Sequence, residues 1–252
     1  MPKLEWHGQR VSVGSNLDHE VCASTLQILD SQVEEVEFAL GIESSHRISV
    51  WLLQPEFVDF YCGSVATACV SDGRMISGPD GLGVSRHELV HAVLWHAMDM
   101  PKPLFGEGLA VAVGGPCDYY DGCLEYPDCA NAPIDLFLEQ RSSAELGVAG
   151  YYAGADLVDG MLKQHGPAAV LAFIATIDAA MPPNKVRERY TQTFGRDLDE
   201  DFEVYKRGRL DDVSLAQIGC EHLFAPVEEG GVPLRGTSTC DPEPLVSTAS
   251  VG

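Results

Sequence analysis

Two histidines four residues apart, with a glutamate beside the first, constrain this chain more than any other feature. The pentad His87-Glu88-Leu89-Val90-His91 sits in a run from Ser85 to His96 that reads as helix. Residues i and i+4 of a helix lie one above the other on one face, so both imidazoles can point at one ion. Glu88 falls one position further round and reaches the space beside that ion. Two nitrogen ligands with an adjacent carboxylate suit a zinc hydrolase, in which the carboxylate takes a proton from the metal-activated water. The same residues carry a second reading. Ser85-x-x-Glu88 is also a capping box, under which Glu88 serves the helix start and the histidines are partly buried surface.

Catalytic zinc takes three protein ligands plus water, so a third ligand is expected downstream. Met100-Pro101-Lys102-Pro103 ends the first helix, because proline cannot continue one and restricts the residue before it. Leu104 to Val113 then reads as a restarted apolar helix whose single acid is Glu107. A carboxylate in an apolar run is costly to bury unless it is paired or bound to metal. Fifteen residues separate His91 from Glu107, enough for a turn and a returning helix. The competing reading is an exposed glutamate at a helix start, favoured by the helix dipole.

With Glu107-Gly108-Leu109-Ala110 following the pentad, the chain resembles the gluzincin metallopeptidases, and within them the peptidase MA-like group. The resemblance implies Zn2+ held by His87, His91 and Glu107, with Glu88 as general base. It also implies an α+β, zincin-like fold: a small N-terminal sheet, the pentad helix and a mainly helical C-terminal half. Many members carry Trp three residues before the third ligand, where this chain has Leu104. Gly106 and Val111 depart from the thermolysin branch. The stretch from Tyr151 to Leu162, the Gly166-Pro167 break and the Phe194-Gly195 pair resemble the family's later helices. On that pattern Tyr151 takes the place of the tyrosine that donates to the oxyanion, with Tyr152 as its competitor. The alternative makes both ordinary helix-start aromatics.

Before the pentad, Asn16 to Gly41 reads as an amphipathic helix, with Val21, Leu29, Val33, Val36 and Leu40 at helical spacing and Gly41 as its stop. Ile48 to Leu53 and Arg74 to Ser77 read as strands, the second closed by Gly78-Pro79-Asp80-Gly81. The expected organisation is a metallopeptidase domain over 1–206, α/β to about 98 and helical from about 99. Residues 207–252 form a cysteine-containing extension.

Most of the eight cysteines, which lack a C-x-x-C spacing, read as disulfides in an exported protein, Cys220–Cys240 being the first pair expected; the alternative is buried free thiols in a cytosolic protein. No leader is visible at the start of the chain, so a secreted, periplasmic or cell-surface protein would have had its leader removed or its start misplaced, and the disulfide reading weakens if Met1 is the native start. The formal charge of −22 argues against nucleic acid as a partner. The apolar runs are too short to span a bilayer. His7, His19, His46, His96, His165 and His222 read as structural or surface residues. The expected function is peptide-bond hydrolysis on a peptide or protein substrate. The alternative is a non-catalytic metal-binding interaction module on a peptidase scaffold.

Overall fold

The computed structural model describes residues 2, 4–16, 23–63, 68–78, 85–95, 98, 101–114 and 127–208. It is α+β, a small five-stranded sheet followed by a mostly helical remainder. The described residues fall into two compact units. One lies within Met1–Phe38 and Ile42–His96, the other within Ala39–Gly41 and Ala97–Leu223.

In the first unit, β1 (Leu4–His7) and β2 (Val11–Ser15) form an antiparallel pair. The helix α1 (Ala23–Leu40) then leads to β3 (Ile48–Leu52), which lies parallel to β2, with Val13 opposite Val50. Parallel neighbours need such a crossover. The helix α2 (Pro55–Cys62) leads to the hairpin of β4 (Ala68–Ser71) and β5 (Arg74–Ser77), and β5 pairs in parallel with β3. The sheet order is β1-β2-β3-β5-β4. Val11, Val13, Val50 and Met75 from the strands and Leu29, Val33 and Val36 from α1 are fully or almost fully buried. Asp30 ties α1 to the β1–β2 turn by accepting hydrogen bonds from the backbone N–H groups of Gln9, Arg10 and Val11 at 2.7–2.9 Å.

The expected strand at Arg74–Ser77 is present as read, and the one at Ile48 ends at Leu52. The expected helix start at Asn16 is wrong. Asn16 extends β2: its N–H donates to the Leu52 carbonyl and its Oδ1 accepts from Gln54 N–H at 2.9 Å. Helical spacing cannot see that cross-strand commitment. The stop at Gly41 holds, with φ +65°. Cys62 and Cys69 form a disulfide across the end of α2 and β4. Cys129 is also disulfide-bonded. The other five cysteines, Cys220 and Cys240 among them, lie outside the described residues, as do 79–84 and 209–252.

The regular elements in the described part of the second unit are all helices, beside an isolated antiparallel bridge between Pro101 and Asp178. This unit holds α4 (Pro103–Gly114), α5 (Pro127–Ala130), α6 (Asp135–Leu138), α7 (Ser143–His165), α8 (Pro167–Ile174), α9 (Pro183–Phe194) and α10 (Leu198–Gly208). The helix α3 (Ser85–Trp95) belongs to the first unit, where it packs on β3, β4 and β5. Every residue of α4 is buried, and α7 is its principal neighbour. The two backbones meet at a pair of glycines. A Cβ on Gly154 would sit 2.2 Å from the Leu104 carbonyl oxygen, and one on Gly108 would sit 2.4 Å from the Gly154 carbonyl. No helix among the described residues is long and apolar enough to cross a membrane.

Candidate metal site

The histidine half of the site is set by how α3 sits on its sheet. Leu89, Val90, Ala92 and Val93 are buried, which fixes the rotation of the helix. Arg86 is buried too and pairs with Glu35 of α1 at 3.1 Å. Burial pushes the Arg86 guanidinium below its ordinary pKa, and Glu35 works against that. His87 and His91 then fall on one face with ring centroids 5.0 Å apart, as the i, i+4 spacing requires. Glu88 lies in the first turn and is partly buried.

The carboxylate half depends on where α4 begins. Lys102 accepts the first helical hydrogen bonds, from Phe105 and Gly106 N–H, on its carbonyl. Its own N–H donates to Ile177, and its buried Nζ donates to the carbonyls of Ala179 and Met181 at 3.1 and 3.0 Å. Burial pushes the ammonium pKa down, as does the charge of Arg141. These bonds hold the start of α4 against the 177–181 segment. Glu107 therefore lies in the second turn rather than at the exposed start, and it is only 8% exposed. The exposed-glutamate reading fails on that burial.

One ligand atom from each of His87, His91 and Glu107 lies within 4.8 Å of the others, a cluster compatible with a metal ion. The donor set fits zinc in kind, since two imidazoles and one carboxylate are an established catalytic zinc combination.

Tyr151 and Tyr152 follow Gly147, whose non-helical backbone divides α7, and so stand near the start of its long second segment. Tyr152 is 4% exposed, and Tyr151 is half-buried. Ser142 caps α7 by accepting from Glu145 N–H, and the Glu145 carboxylate accepts from Arg141 N–H at 2.8 Å. Gly147, at φ +64°, then kinks the helix.

Two residues escaped the sequence reading. Ser143 Oγ donates a hydrogen bond to Glu107 Oε1 at 2.5 Å. The Ser142-x-x-Glu145 signature marks a helix start there, but nothing in the sequence says what the neighbouring hydroxyl reaches. Gly154 admits α4, and its role shows only once the two helices are paired. His165, read as structural, stacks on Phe194 with ring centroids 4.2 Å apart.

No protein-family profile and no curated protein matches this sequence. Among solved structures, the chain is similar to a mutant of an M1 zinc metallopeptidase from Deinococcus radiodurans, with 17% identity and a TM-score of 0.47. The match covers 81% of this chain and 51% of that one, so the chain spans about half the length of that neighbour.

Proposed function

We propose that this protein is a zinc-dependent peptidase of gluzincin type, with His87, His91 and Glu107 as the metal ligands and Glu88 as general base. The observation that carries the reading is the grouping of two imidazoles and one buried carboxylate within 4.8 Å, with a second carboxylate next to the first imidazole in sequence. A surface cap would not need Glu107 buried.

Zinc, when bound, polarises water and the scissile carbonyl. Glu88 takes a proton from the attacking water as its oxygen adds to the carbonyl carbon. It then delivers that proton to the amine nitrogen as the C–N bond breaks. The Tyr151 hydroxyl donates to the oxyanion that forms between these steps. Tyr151 is preferred to Tyr152 because a group that meets substrate needs exposure, and Tyr152 is the more buried. The disulfide at Cys62–Cys69 and the bonded Cys129 support an exported protein acting on peptide or protein substrates.

Glu88→Gln tests the mechanism. It keeps the size of the side chain and both histidines while removing the base. The expected variant binds zinc as the wild type does and loses nearly all turnover on a peptide library. Full turnover in that variant would refute the assignment. Zinc binding by a wild type that cleaves nothing would favour the interaction-module reading.

A further inference from the structure

We propose that Ser143 is a positioning residue that orients the Glu107 carboxylate and thereby sets the metal affinity of the site. The inference rests on the reading of Glu107 as a ligand. It starts from the hydrogen bond between Ser143 Oγ and Glu107 Oε1 at 2.5 Å, made between α7 and a carboxylate that is 8% exposed.

A hydroxyl is a suitable group for this task. A carboxylate offers about four lone-pair sites, and one hydroxyl occupies one of them. Capacity to bind a cation remains. The donor is neutral, so it fixes the side chain without cancelling the negative charge that a cation ligand must keep. A lysine or arginine in its place would fix the carboxylate but compete with the ion. Ordering the glutamate beforehand also removes part of the rotamer entropy otherwise lost on binding.

The local chain is built to hold Ser143 still. The Ser142 cap and the bond from Arg141 N–H to Glu145 close the first turn of α7. Gly147 then breaks the helix, so the direction of that turn is set apart from the long segment after it. Leu146 on one side and Phe137 and Leu138 on the other are buried, and Asp135 pairs with Arg187 at 2.8 Å. The close approach of Gly108 and Gly154 lays α7 along α4 one residue from Glu107.

The test is zinc affinity, measured on the full chain by competition with a chromophoric chelator. The variants are Ser143→Ala, Ser143→Thr, Glu107→Gln and the double variant Ser143→Ala with Glu107→Gln. Changing a group that orients a metal ligand typically costs about 10–100-fold in affinity, and that loss is expected for Ser143→Ala. Ser143→Thr keeps the hydroxyl and restores most of it. In the Glu107→Gln background, Ser143→Ala adds no further loss, because its effect runs through the carboxylate. If Ser143→Ala fails to fold without metal, Ser143→Cys, a near-isostere with a weaker donor, carries the comparison. Wild-type affinity in Ser143→Ala, or an equal loss with and without Glu107, would overturn the proposal and leave the metal site standing. A wild type that takes up no zinc would overturn both.

Discussion

Gly154→Ala should destabilise the helical unit although alanine is the better helix former. A Cβ on Gly154 would lie 2.2 Å from the Leu104 carbonyl oxygen and 3.0 Å from Gly108 Cα, both backbone atoms that no rotamer change can move. Non-bonded carbon contacts are comfortable near about 3.5 Å, so α4 and α7 must separate by roughly 1 Å. All of α4 is buried, so the separation disturbs packing along the whole helix. Overpacking of this kind costs about 1–3 kcal/mol, and backbone against backbone belongs at the upper end. Alanine returns about 1 kcal/mol of helix propensity, leaving a net loss of about 2 kcal/mol. With a urea slope of about 2 kcal/mol/M, the midpoint falls by roughly 1 M. Gly150→Ala, one turn earlier on the same helix, is the internal control. The three atoms nearest its Cβ would be side-chain atoms of Leu146 and Phe137. Urea unfolding of the metal-free proteins should therefore show Gly150→Ala clearly less destabilised than Gly154→Ala. Equal midpoints, or a stabilised Gly154→Ala, would refute the claim that these glycines exist for close helix approach.

Three further outcomes follow. Glu88→Gln should lower turnover by about 10²–10⁴-fold or more while zinc content, read by elemental mass spectrometry, stays at the wild-type level. Replacing Cys62 and Cys69 together by serine opens a loop with a sequence separation of 7, and chain entropy puts the loss near 2.5 kcal/mol by urea unfolding. An unchanged midpoint would mean that the α2–β4 connection is held by packing alone. Asp201 is buried, which opposes its charge, but hydrogen bonds from Arg196 and Tyr190 outweigh this and hold its pKa below the ordinary carboxylate value. A carboxylate depressed in the folded state contributes stability above the unfolded pKa, near 4, and loses it as pH falls through the folded value. Urea midpoints of the wild type should therefore drop more steeply below about pH 4 than those of Asp201→Asn, and parallel curves would contradict the assignment.

Local chemistry made part of this molecule legible in its sequence. The i, i+4 histidines had to share a face on any helix, and the Pro101–Pro103 break had to end one helix and permit another. The burial of Glu107 was readable from the apolar run around it. Residues whose role is set by a partner distant in sequence were not readable. Asn16 looked like a helix start but is committed to Gln54, 38 residues away. The strands at Leu4–His7, Val11–Ser15 and Ala68–Ser71 are four or five residues long and gain their meaning from pairing. Ser143 reaches Glu107 across 36 residues, and Gly154 matters only because Gly108 lies against it. Hydroxyls and glycines carry no periodicity, so their tertiary roles leave no mark in a single chain.

The central claim is the metal site, and the metal content of untagged protein tests it most directly. Elemental mass spectrometry of the wild type after reconstitution with zinc should give one zinc per chain, and His91→Ala prepared in parallel should give none. No zinc in the wild type would contradict the account, leaving the pentad as a helix start with two histidines on one face.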